Sequence, residues 1–269
     1  MASDLDIANR ALSRLGAARI NSTGDDTKNA RAVSSALATV RDEVLVDHPW
    51  NCAVKRVTVY ATTADITGIT LTGTRVRPTV GAGHPFKNGD PVAITDVVGT
   101  TQANASWIVG NVAATTFDLV DPATGDFVDD DDFSAWISGG LVTRRGLWQH
   151  DLSFTLPSDL IRLLEVEDQR QSDWLVEDGK LLTDLTSPLN IRYVYRNTNT
   201  ASYPPLLVSA LAARLAAELA LEIVDSPAKH QLALDAYNRI LFQAKSADGR
   251  EQTPSQIEES SWVTARFTS

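Results

Sequence analysis

Four histidines, one cysteine and a run of four aspartates are the residues of this chain best suited to chemistry, and their spacing argues against each. His48, His84, His150 and His230 stand far apart. None belongs to an HExxH pair, in which two imidazoles share a helix face to grip zinc. A structural role is expected for each. Cys52 lies in WNCAVKR, which reads as a strand and carries no nucleophile signature, so a buried inert thiol is expected. GAGH, from Gly81 to His84, lacks the spacing of a phosphate loop and reads as a turn. The run Asp129 to Asp132 lacks the alternating carboxylates, central glycine and bidentate glutamate of an EF-hand, and a solvated acidic loop is expected. No base, nucleophile and orienting group line up, so no enzymatic activity, cofactor or metal site is expected.

Composition narrows the classes further. The chain has 269 residues, 43% hydrophobic and 22% charged, which is ordinary for a globular protein with room for two domains. A formal charge of −10 disfavours a groove that grips nucleic-acid phosphates, because that affinity needs clustered Lys and Arg. A single cysteine makes no internal disulfide. MASDLDIANR has neither the basic nor the apolar region of a signal peptide, and no run reaches the roughly 18 apolar residues of a membrane span. A soluble, non-membrane protein is expected.

The elements that would position any site fall into two kinds. Ser3-Asp4-Leu5-Asp6 is a capping box with Asp for the usual Glu, followed by Leu5, Ala8, Leu12 and Leu15 at helical spacing and ended by Gly16. Thr27 to Asp47 repeats the pattern with Ala30, Val33, Leu37, Val40 and Val44, until His48-Pro49 stops it. Near the other end, Pro205 to Val224 carries Val208, Leu211, Ala212, Leu215, Leu219 and Ile223 on one stripe, with six alanines that permit close helix approach. Ser226-Pro227 opens a further helix lined by Ala233, Ala236, Tyr237, Ile240, Leu241 and Ala244. Between these pairs, Val57 to Val142 is rich in Thr, Val, Gly and Asp, with short alternating runs separated by turn residues. Shorter strands follow at 152–156, 160–167, 174–177, 180–183 and 191–195, with a hairpin signal at Glu177-Asp178-Gly179.

The fold class expected is α+β: a discontinuous antiparallel four-helix bundle with short β-hairpins, plus an inserted small all-β barrel or sandwich. Its parts are residues 1–60 and 143–249 of the helical domain, the insert at 61–142, and an extended tail at 250–269. In that polar tail only Ile257, Trp262, Val263 and Phe267 could anchor anything. An indole left in water costs about 1.5–3 kcal/mol relative to a buried one, so Trp262 is expected to dock on its own core or on a neighbour.

These residues support a resemblance. IANRALSRLGAARI, DDTKNARAV, VRDEVLVDHPWNCAVKR, LPSDLIRLLEV, EDGKLLTD, IRYVYR, ALAARLAAELA and SSWVTARF, in that order over about two-thirds of the chain, resemble the tail tubular protein A family of phage head-to-tail adaptors. In the middle, GHPFKNGDPVAITDVVG and WIVGNVAATTFDLVD are similar to FCCH-like β modules, without implying ubiquitin chemistry. The resemblance implies a structural virion protein of the neck or tail, assembled in the host cytoplasm. It would form a dodecameric ring beneath the portal, extend the DNA channel and carry the tail. Its partners would be the portal protein, neighbouring copies, a downstream tail or nozzle protein, a tail fibre met by the β insert, and double-stranded DNA passing without sequence-specific binding. Because C-terminal segments in that family commonly reach the portal, Trp262, Arg266 and Phe267 are the docking candidates.

Two rival readings remain at this stage. In one, the β insert binds a receptor or glycan through Trp107 and Trp136, and the helices only attach it. In the other, Cys52 or carboxylates of the insert make an enzyme.

Overall fold

The computed structural model describes residues 2–146, 150–167 and 173–251. The chain divides into two compact units, Met1–Lys55 with Val194–Ser269, and Arg56–Tyr193.

The first unit is helical: α1 (Asp4–Leu15), α2 (Lys28–Val46), α3 (Pro205–Val224) and α4 (Pro227–Gly249). Local chemistry sets their ends. Ser3 Oγ accepts the Asp6 N–H at 3.1 Å while the Asp6 carboxylate accepts the Ser3 N–H at 2.9 Å, a reciprocal cap that lowers the Asp6 pKa. Gly16 closes α1 at φ +69°, a left-handed conformation suited to a residue without Cβ. Thr27 and Ser226 cap α2 and α4 in the same way through their side-chain oxygens. Asp225, at φ 45°, turns the chain between α3 and α4.

Packing centres on α3. Eleven of its residues are buried, from Leu207 to Ala220, and all six alanines are among them. The helix meets α1, α2 and α4, whereas α1 and α2 barely meet each other. A single apolar stripe, as expected from the sequence, therefore understates it: α3 is covered on several sides, and short alanine side chains let the neighbours come close. Polar ties join the outer helices. Lys229 Nζ donates to the Leu15 carbonyl at 2.5 Å, the Tyr237 hydroxyl to Asp47 at 2.9 Å, and Arg41 pairs with Asp4 at 2.6 Å. Arg214 on α3 bridges to Glu43 at 2.8 Å and Glu218 at 2.9 Å.

The second unit is built of strands: β1 (Val54–Val59), β2 (Thr63–Leu71), β3 (Val76–Val80), β4 (Pro91–Thr95), β5 (Ser106–Gly110), β6 (Asp118–Val120), β7 (Leu141–Arg144), β8 (Leu152–Thr155), β9 (Leu160–Val166), β10 (Trp174–Glu177), β11 (Lys180–Thr183) and β12 (Leu189–Tyr195). The unit boundaries fall within β1 and just before the last residues of β12. Six strands form one sheet in the order β3-β2-β7-β4-β5-β6, and three-stranded sheets have the orders β1-β12-β9 and β10-β11-β8.

A register shift between Ile66 and Gly68 lets β2 pair with β7 through its first residues and with β3 through the rest. Such a bulge bends a strand. The outer strands of the large sheet then approach: Val80 N–H donates to the Thr115 carbonyl at 2.8 Å, and Thr79 bridges Thr116. The sheet is thereby nearly closed around Val76, Val92, Ile94, Val109, Phe117, Leu119 and Val142. Gly99 is required where the chain crosses the barrel end, since a Cβ there would lie 2.3 Å from the Ala135 carbonyl oxygen.

Two expectations are corrected. Cys52 lies in a 3-10 turn over Asn51–Ala53, not in a strand. The fold is mixed α/β rather than a four-helix bundle with short hairpins and a small insert: helices cover only 34% of the described residues beside a six-stranded, nearly closed sheet. The physical reason is that most of the chain between the helix pairs satisfies its backbone in ladders. β8 to β11 extend the strand structure instead of decorating helices, and the helices pack around α3 instead of sharing a central four-sided core.

One buried charge cluster fastens the barrel seam. Asp118 on β6 is fully buried and accepts from Arg77 Nε at 2.6 Å, Arg75 Nη1 at 3.0 Å and Asn111 Nδ2 at 2.9 Å. Burial alone would raise its pKa; the bonds from Arg77, Asn111 and Arg75 outweigh that and hold it below the ordinary carboxylate value. Removing Asp118 leaves an amide and two guanidinium groups, each of the latter more than a third exposed, without their shared acceptor, at a cost of about 1–3 kcal/mol. Asp118→Ala is therefore expected to lower the unfolding free energy at neutral pH by that amount, followed by circular dichroism in urea. Because the folded pKa is depressed, this stabilisation is present above the unfolded value of about 3.9 and lost as pH falls through the folded pKa. The acid-induced loss of stability should accordingly be shallower in Asp118→Asn than in the native chain; equal slopes would show that the cluster is not the acid-sensitive element.

Candidate functional site

The histidines have local occupations. His84 Nε2 bonds the Ala113 carbonyl at 3.0 Å and its ring lies against Phe86 and Phe117, while His230 Nδ1 bonds the Ala217 carbonyl at 2.8 Å. His150 stands 3.6 Å from Asp184. His48 is the informative one. Its Nε2 lies 3.0 Å from Asp248 Oδ2, and Asp248, only 4% exposed, also accepts the Asn51 N–H at 3.1 Å. Asn51 Nδ2 returns a bond to the Asp248 carbonyl at 3.0 Å. Trp50, wholly buried, meets the His48 ring edge-on at 4.8 Å and donates its indole N–H to the Val44 carbonyl at 2.8 Å.

This network ties the last turn of α4 to the segment after α2, and it places His48, Cys52 and Asp248 in one neighbourhood. Sequence spacing could not show that grouping, because its members are about two hundred positions apart. Its electrostatics oppose a nucleophilic thiol. Burial, and then the charge of Asp248, push the Cys52 pKa up to about 11, so the thiol stays protonated near neutrality.

The acidic run is partly structural. Asp130 is 8% exposed and accepts the Gly73 N–H at 2.7 Å, and Asp129 accepts the Asp131 N–H at 3.3 Å. Asp129, Asp130 and Asp131 are the one group among the described residues that could surround a metal ion, yet two of the three carboxylates already serve the backbone. Trp107 and Trp136 are also occupied. Both pack against the barrel core, and their indole N–H groups donate to the Ala103 carbonyl at 2.8 Å and the Gly139 carbonyl at 3.0 Å.

What remains open is the outer side of the helical unit. Phe242 on α4 is 77% exposed, Leu232 on α4 is 68% exposed and Leu221 at the end of α3 is 50% exposed. Leu232 and Phe242 stand about 15 Å apart along the axis and about 80° apart around it, on the half of α4 turned away from Ala233, Ala236, Tyr237 and Ala244. They are the two most exposed large apolar residues of the helical unit among those described. Sequence reading missed them because it asked only which residues fit the inward stripe. β10 is a second exposed apolar element, an edge strand whose Trp174, Leu175 and Val176 are all exposed. The docking candidates Trp262, Arg266 and Phe267 lie outside the described residues.

The thiol can be tested directly. At neutral pH, iodoacetamide should modify Cys52 in the folded chain more than about a hundredfold more slowly than in the urea-unfolded chain, and the rate should climb only toward pH 11. Modification as fast as in the unfolded chain would restore Cys52 as a candidate nucleophile.

No protein-family model matches the chain, and no curated protein matches it.

Proposed function

We propose that the chain is a structural assembly protein, a head-to-tail adaptor that joins copies of itself into a ring against a portal. The observation that carries this reading is a pair of large apolar residues, Leu232 and Phe242, held in water on the otherwise polar outer side of α4, whose inner side is firmly packed. A cyclic ring is made by heterologous contacts, in which one patch meets a different patch on the next copy. A rigid helix presenting two large apolar anchors suits one half of such a contact, each anchor being worth about 1.5–3 kcal/mol when buried. The segments that carry the resemblance to phage adaptors include α1, α2 and α3 of the same helical unit.

Charge and chemistry agree with a passive role. A net charge of −10 gives passing DNA few strong phosphate contacts at which to stall. Cys52 is held as a thiol beside a carboxylate, the opposite of an activated nucleophile. The receptor-binding alternative is weakened, since Trp107 and Trp136 each pack in part against the barrel core and spend their indole N–H groups on backbone carbonyls.

The test is the mass in solution, by light scattering, of the full chain alone and mixed with the portal protein of the same virus. A ring-sized complex is expected with the portal, and Leu232→Glu with Phe242→Glu should abolish it while leaving the melting temperature within about 2 °C, because both residues are exposed. A chain that stays monomeric beside the portal, or a double variant that still assembles, overturns the reading.

A further inference from the structure

The start of α3 and the end of α4 enclose a mostly apolar groove of about 210 Å³ within the helical unit. The buried Trp50, Leu207 and Ala244 line its inside; the exposed Pro205, Ala247 and Glu251 form its rim. Its inner wall is stiff, because Trp50 is fixed by its bond to Val44 and the last turn of α4 is fixed by Asp248 to His48 and Asn51. A rigid apolar slot with room for one large side chain is a receptor for an aromatic anchor.

The chain itself supplies one. Glu251, on the rim, is the last described residue, and the sequence runs on through 252–269, where Trp262 is the largest apolar side chain. We propose that the groove is the dock for this chain's own C-terminal segment, with the Trp262 side chain seated in it. Trp262 follows Glu251 by eleven residues, a tether that spans roughly 35–40 Å when extended, so the segment can double back to the slot from which it departs. The tether is short, its closure costs little entropy, and its effective concentration exceeds that of a free partner. Arg266 is the only cation in 252–269, and Glu251 at the rim is a carboxylate that its guanidinium, or the indole N–H, can reach.

Docking in this manner goes beyond ring assembly and does not depend on it. The free chain would keep its most apolar terminal residue out of water, and a partner that recognises the segment would first have to displace it from the groove.

Limited chymotrypsin digestion of the full chain without portal, read by mass spectrometry, tests this. Cleavage after Trp262 and Phe267 is expected to be slow, and independent of protein concentration. Ala247→Trp, which fills the groove from its exposed rim, should speed cleavage after both residues about tenfold. Trp262→Ala should speed cleavage after Phe267 equally, and it leaves the groove residues untouched should Ala247→Trp disturb the helix. Equal rates in the native chain and in both variants overturn the proposal. Protection that vanishes on dilution assigns the groove to the segment of a neighbouring copy, and also overturns docking within one chain. Since no portal is present, either failure leaves the assembly reading to its own measurement.

Discussion

Close approach along α3 is the constraint from which the rest of the helical unit follows. Three helices lean on a single one, and there is space for them because six alanines replace larger side chains over its middle. The burial gained per alanine is small, so tight contact over the whole length must make up the total. Straight, well-capped helices are needed for that, and each N-terminus with a side-chain cap uses a different local device: a capping box at Ser3, a threonine at Thr27, a serine followed by proline at Ser226. The outer helices then have one side committed to α3 and the other free. On α4 the free side is where Leu232 and Phe242 stand.

The β unit is specified in another way. Its closure rests on a bend in β2 and on a buried carboxylate shared by two arginines and an asparagine across the seam between β3 and β6. A buried charge of this sort tolerates few alternative pairings, because any slip of register would leave Asp118 unpaired in a low-dielectric interior. The helical unit is thus fixed by volume, and the barrel by a polar address. The two modes coexist in one chain because a helix satisfies its own backbone, whereas a sheet must find the correct neighbour.

That distinction also decides what could be read in advance. The caps of α1 and α4 and the Asp178-Gly179 turn were legible, since each is settled by residues within a few positions of one another. The central place of β7, the near-closure of the sheet, and the grouping of Asp248 with His48 and Asn51 were not, because they join residues tens to hundreds of positions apart. Cys52 looked like strand because Val54 to Val59 follows it directly; the turn over Asn51–Ala53 comes instead from the stop imposed by Pro49 and from the hold of Asp248 on Asn51. Apolar residues on the outer side of α4 went unnoticed for a subtler reason. Helical periodicity identifies the side that packs and is silent about what the other side carries.

The order in which these parts leave the ribosome gives the interleaved arrangement a further meaning. α1 and α2 are made first, yet the helix that covers their apolar sides begins only at Pro205, after the whole β unit has been synthesised. The strands of the contiguous β unit are all made once β12 emerges, while the helical unit must wait for the final quarter of the chain. Leu232 and Phe242 on α4 are made after every other helix of the unit. A chain that stopped after β12 would therefore hold every strand of the β unit but neither α3 nor α4, and the apolar sides of α1 and α2 would stay uncovered.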